Sequence, residues 1–104
     1  MSNLIHLNDD NFDEVINGSD VPVIVDFSAS WCGPCKVLTP VIEGLAAELN
    51  GTAKVCKVDI DEAPLSAQKH GIRSVPTIIA FKSGERVKSA VGLVPKAKLL
   101  ELIQ

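Results

Sequence analysis

Cys32 and Cys35 stand two residues apart in Ser30-Trp31-Cys32-Gly33-Pro34-Cys35-Lys36. Thiols at this spacing are a redox pair, half of a zinc knuckle, or chance. The run Val21-Pro22-Val23-Ile24-Val25-Asp26-Phe27 before them reads as a buried strand, and Lys36 to Leu49 after them reads as a helix. A dithiol where a strand hands over to a helix is the redox reading of the spacing. Zinc needs about four ligands, and only Cys56, His6 and His70 remain, none of them in a second knuckle. Cys32 lies just ahead of the helix, where free N–H groups and the positive dipole end stabilise a thiolate, so it is the expected nucleophile. Cys35 falls inside the first turn and is expected to be the more buried, resolving thiol. It would attack the mixed disulfide that Cys32 forms. Gly33 lets a substrate backbone approach, and Pro34 fits the first helical position and stiffens the turn.

Asp26 sits inside Val-Ile-Val-Asp-Phe. Burying a charge without a partner is expensive. Asp26 is either a strand-end carboxylate in solvent or a buried proton acceptor for Cys35, with its pKa raised by desolvation. Lys57 is the matching oddity in a later apolar run. It either snorkels to the sheet edge or takes part in proton transfer. Cys56 reads as a small buried hydrophobe, and His6 and His70 as surface residues.

The elements that must hold these groups follow from periodicity. Leu4 to Leu7 reads as a first strand at or near a sheet edge. Asn8 is placed to cap a helix with Asp9 and Asp10 in its first turn. Phe12, Val15 and Ile16 fall at helical spacing, and Asn17-Gly18-Ser19-Asp20 turns the chain. After Cys35 the apolar stripe is Val37, Leu38, Val41, Ile42, Leu45, Ala46 and Leu49. Pro40 interrupts it and is expected to kink the helix, and Asn50-Gly51 closes it. Ala53 to Val58 is the next strand. Asp61 is expected to cap a short helix from Glu62 to His70, ended by Gly71. Thr77 to Phe81 is another buried strand, Lys82 to Glu85 a hairpin turn, and Arg86 to Val91 an antiparallel edge strand. Pro95 opens a last helix with Leu99, Leu100, Leu102 and Ile103 on its apolar face. The order is β-α-β-α-β-α-β-β-α, an α/β layered fold with a mixed sheet.

Composition sets the outer limits. The chain has 104 residues, 46% of them hydrophobic, which predicts one globular domain over residues 1–104. The net charge of −3, with both signs mixed along the chain, excludes the basic face that nucleic acid requires. No apolar run approaches the ~20 residues of a membrane span. Met1-Ser2-Asn3-Leu4 lacks a basic segment followed by an apolar one, so no signal peptide is expected. Three cysteines do not make a secreted disulfide framework, which points to reduced thiols and the cytoplasm.

The loop Trp31-Cys32-Gly33-Pro34-Cys35-Lys36 resembles the active-site loop of the thioredoxin family residue for residue. The resemblance covers essentially the whole chain. It includes Asp26-Phe27, Pro40, Lys57-Val58-Asp59, Gly71 to Thr77, Phe81-Lys82-Ser83-Gly84 and Val91-Gly92. It implies a five-stranded mixed sheet flanked by four helices, and dithiol–disulfide exchange with protein substrates. It also implies rereduction by a thioredoxin reductase and a monomer with no bound cofactor beyond the redox-active Cys32–Cys35 disulfide. It places Lys57 near Asp26 and makes the Val75–Pro76 bond cis, facing the dithiol. Trp31, Gly33, Pro34, Val75, Pro76, Val91, Gly92 and Leu93 would then form an apolar rim around Cys32, a docking surface for extended substrate segments. Ser28 departs from the family, which usually has Trp there, and weakens the expected packing against the loop. Two rival functions follow from the same residues: a fold that stabilises a partner whatever its thiols do, and an oxidase or isomerase. The Gly-Pro spacer, Asp26 and the lack of a signal peptide favour a reductant.

Overall fold

Every residue from Val23 to Ser28 is buried, so this strand has neighbours on both edges and layers on both faces. The computed structural model describes residues 3–104. The elements are β1 (Ile5–Leu7), α1 (Phe12–Asn17), β2 (Val23–Ser28), α2 (Gly33–Glu48), β3 (Lys54–Asp59), α3 (Pro64–Lys69), β4 (Thr77–Lys82), β5 (Glu85–Val91) and α4 (Lys96–Glu101). The five strands lie in the order β1-β3-β2-β4-β5. β3 pairs parallel with β1 and β2, and β4 pairs antiparallel with β2 and β5. This is the expected mixed sheet with four helices.

Alternation along the strands divides the core. Ile24, Val55, Ile78 and Ala80 pack with Leu38, Ile42 and Leu45 of α2 and Leu99 of α4. Val23, Val25, Phe27, Cys56, Val58, Ile79 and Phe81 pack on the other face with Phe12 and Ile16 of α1. Asp26 and Ser28 follow Ile24 at intervals of two, and Lys57 and Asp59 follow Val55 in the same way. The α2 face of the sheet therefore turns from apolar to polar toward the ends of β2 and β3. Register places Asp26 opposite Lys57 and Ser28 opposite Asp59.

Several expected boundaries are corrected. α1 begins at Phe12 rather than after Asn8, with Asp13 and Glu14 in its first turn. The Asn8 side-chain oxygen accepts from the N–H groups of Asp10 and Asn11 and so makes a turn of its own ahead of the helix. α3 begins at Pro64, not Glu62, and Asp61 does not cap it. The residue before a proline avoids helical angles, while proline itself suits the first turn. The cap comes from Asp9, whose carboxylate accepts from the backbone N–H of Leu65 at 3.2 Å and of Ser66 at 2.8 Å. α2 is unbroken across Pro40, and Val37 is 60% exposed, off the buried stripe. The β4–β5 hairpin turns on Ser83 and Gly84, whose φ values of 53° and 79° are the left-handed pair that a two-residue hairpin needs. Its pairing steps from Ala80–Lys88 to Phe81–Arg86, leaving Val87 as a bulge.

His70 is a further correction. Its ring packs against Phe12, Phe27 and Phe81, with centroids 5.0, 6.0 and 5.4 Å away. Burial pushes its pKa down, helped by Lys69 and Arg86, and the ring is the fourth member of an aromatic cluster. His6 is exposed, as expected.

Candidate active site

The end of β2 and the start of α2 bring the two cysteines together. Ala29 follows the strand, and its carbonyl accepts from the N–H of Cys32 at 3.2 Å. Cys32 has extended backbone angles and is the N-cap of α2, with Gly33 and Pro34 in the first turn. Its sulfur accepts from the N–H of Cys35 at 3.2 Å. Cys32 and Cys35 are joined as a disulfide, with Cα atoms 5.3 Å apart. A reduced Cys32 would place its sulfur on the unpaired N–H groups of the helix, where negative charge is stabilised. Cys35 is the more buried of the two, at 1% exposure against 5%.

The rim is assembled from three loops. The Val75–Pro76 peptide is cis, as the resemblance implied. The carbonyl oxygen of Val75 lies 3.7 Å from the Cys32 sulfur. The Pro76 carbonyl accepts from the N–H of Gly92 at 2.8 Å, which ties the segment after β5 to the one before β4. Gly92 has φ +90°, a conformation that other residues rarely adopt. Trp31, Val91 and Leu93 are exposed on this side. Gly33 and Pro34 are exposed beside them, Val75 is half-buried and Pro76 is buried. The indole N–H of Trp31 donates to the Asp61 carboxylate at 2.8 Å, an orienting contact with no signal in the sequence.

Behind the cysteines lies a cleft of about 300 Å³, lined in part by Ser28, Cys35, Lys36, Thr39, Lys57 and Asp59. Ser28, where the resemblance implied a Trp, is buried and walls this cleft. Asp26 lies on the same face of the sheet and is wholly buried. Neither of its oxygens accepts a hydrogen bond among the described residues. Burial pushes its pKa up to about 6, and the Lys57 charge opposes that rise only in part. The solvent-exposed reading of Asp26 is therefore excluded. Lys57 does not bond to it. Its ammonium donates to the Thr39 hydroxyl at 2.8 Å, and that hydroxyl donates to the Cys35 carbonyl at 2.9 Å. Sequence reading missed Thr39, although a position four residues beyond Cys35 shares its helix face. Cys56 is wholly buried, away from the cleft on the α1 face, and desolvation pushes its thiol up to about 12.

Comparison with known proteins accords with this geometry. The family model described as Thioredoxin matches residues 3–104. The chain belongs to the thioredoxin family. It is 50% identical over 98 residues to the chloroplastic thioredoxin M-type of Pisum sativum, covering 94% of this chain and 57% of that protein. It is 48% identical over 93 residues to the chloroplastic thioredoxin M5 of Oryza sativa subsp. japonica, covering 89% of this chain and 54% of that protein. The chain thus spans about half the length of these two relatives. With the thioredoxin of Haemophilus influenzae it is 41% identical over 103 residues, covering 99% of this thioredoxin-family chain and 96% of the relative. Among the described residues no helix is long and apolar enough to cross a membrane, and no group of three or more His, Cys, Asp or Glu is placed to hold a metal ion.

Proposed function

We propose that this chain reduces protein disulfides through Cys32 and Cys35. The observation that carries this is the Cys32 sulfur at the N-terminus of α2, accepting from the Cys35 N–H and flanked by an exposed apolar rim. In the reduced protein the Cys32 thiolate attacks one sulfur of a substrate disulfide. A mixed disulfide forms and one substrate thiolate leaves, taking a proton from solvent. Cys35 then gives its proton to Asp26 and attacks the Cys32 sulfur. The Cys32–Cys35 disulfide forms, and the second substrate thiolate leaves and is protonated. Two electrons pass to the substrate, and the dithiol becomes the disulfide. Asp26, with its pKa near 6, is matched to taking that proton near neutrality. Lys57 supplies positive charge close to it.

The docking surface is the rim of Trp31, Gly33, Pro34, Val75, Pro76, Gly92 and Leu93, which an extended segment would meet beside Val75. The chain acts as a single monomeric domain, with a thioredoxin reductase as electron donor and no bound cofactor. Its compartment is a reducing one, the cytoplasm in the first instance. The test is reduction of a protein disulfide, such as that of insulin, by dithiothreitol with catalytic amounts of this chain. Acceleration that disappears in Cys32→Ser is the expected result. A rate equal to dithiothreitol alone would leave only the partner-stabilising reading.

A further inference from the structure

Thr39 stands between two groups of the exchange machinery and has no part in it so far. Lysine has donors only, so the 2.8 Å contact from the Lys57 ammonium uses a lone pair of the Thr39 oxygen. The hydroxyl has one proton, and it goes to the Cys35 carbonyl at 2.9 Å. The direction of both bonds is thereby set. Asp26 is the register partner of Lys57 on the adjacent parallel strand and shares its face. Such strands run about 4.8 Å apart, well within the reach of a four-carbon side chain. Yet the ammonium is bonded to α2, and among the described residues neither Asp26 oxygen has a hydrogen-bond donor.

We propose that Thr39 is a positioning residue for the exchange reaction: its hydroxyl holds the Lys57 ammonium on the α2 wall of the cleft and keeps it from closing an ion pair with Asp26. This rests on the reading of Asp26 as proton acceptor for Cys35. A carboxylate locked to an ammonium would stay ionised to low pH and would be a weak base for a thiol. One held apart from it stays poised near neutrality. The hydroxyl also fixes the charge to the backbone of Cys35, so the cation follows the residue whose thiol loses the proton. The remaining surroundings of Asp26 do not substitute for this. β4 offers the apolar Ile78 in register, Lys57 is the charged group that acts on Asp26, and Cys35, Lys36 and Asp59 line the cleft with Lys57 and Thr39.

The test titrates Asp26 by carbon-13 NMR of labelled carboxyl groups in the disulfide form, where Cys32 and Cys35 do not ionise. The proteins are the parent, Thr39→Val, Thr39→Ala, Thr39→Ser, Lys57→Met and the double variant Thr39→Val/Lys57→Met. Thr39→Val keeps the shape and deletes the acceptor. Its Asp26 midpoint should fall by about one pH unit as the ammonium reaches the carboxylate. Thr39→Ala should do the same, and Thr39→Ser should match the parent. In the Lys57→Met background the valine should change nothing further. The pH profile of disulfide reduction should move with the midpoint. An unmoved midpoint in both Thr39→Val and Thr39→Ala, or a shift that persists without the lysine, would overturn the positioning role. A midpoint that moves while the exchange profile stays fixed would instead overturn Asp26 as the acceptor, and so the reading beneath the proposal.

Discussion

At the scale of single residues, burial sorts groups that look alike in the sequence. Asp26 and Asp59 both lie on the α2 face of the sheet, but of the two only Asp26 is wholly buried, with no hydrogen-bond partner among the described residues. Its folded pKa, about 6, stands above the ordinary 3.8, so the folded state holds its proton more tightly than the unfolded chain does. That contribution is fully present below pH ~4 and is lost as pH rises through about 6. Relative to Asp26→Ala, the parent should lose up to about 3 kcal/mol of stability over that range, with a flat difference above it. Urea unfolding of both proteins at a series of pH values measures this, and a difference without pH dependence would refute it. Cys56 illustrates the converse. With its pKa pushed up to about 12 it is a neutral thiol at pH 7 and acts as packing. Cys56→Ala should leave disulfide reduction within about twofold of the parent and cost about 1 kcal/mol of stability. A large loss of turnover would show that the thiol has a chemical role.

At the scale of elements, the parts legible in the sequence were those written locally. The strand from Val23, the proline and glycine of the dithiol loop and the hairpin at Ser83-Gly84 each carry their signal within a few residues. The features that escaped depend on residues far apart in the chain. The cap of α3 comes from Asp9, 57 positions before Ser66, so Asp61 looked like the nearer candidate. His70 reads as polar, but the fold brings three phenylalanines around it. Lys57 could be paired with Asp26 by resemblance, whereas its bond to Thr39 depends on how α2 lies over β3. The Asp9 cap has a local consequence that can be measured. Asp9→Ala removes acceptors from the first turn of α3. The amides of Leu65 and Ser66 should then exchange with deuterium faster and the melting temperature should fall. Unchanged protection at both amides would show that the cap contributes nothing.

At the scale of the whole molecule, one sheet separates two tasks. Its α1 face is a continuous apolar layer in which Cys56 is buried and against which the half-buried His70 ring packs. Its α2 face is apolar at one end and polar at the other, where Asp26, Lys57 and Thr39 lie behind the cysteines. The mixed topology makes this possible. β2 runs parallel to β3, so both strands deliver their polar ends to the same side, and antiparallel β4 begins there with Val75 and Pro76 just before it. Cys32 then lies beside the rim, its sulfur 3.7 Å from the Val75 carbonyl, while Cys35 lines the cleft; the proposed function makes the first the nucleophile and the second the resolving thiol. The most direct test of that division is mass-mapped trapping of a protein disulfide on reduced Cys35→Ser and reduced Cys32→Ser. Cys35→Ser should accumulate a stable adduct linked through Cys32, and Cys32→Ser should accumulate none. An adduct through Cys35 in Cys32→Ser, or through Cys56 in either variant, would contradict the account.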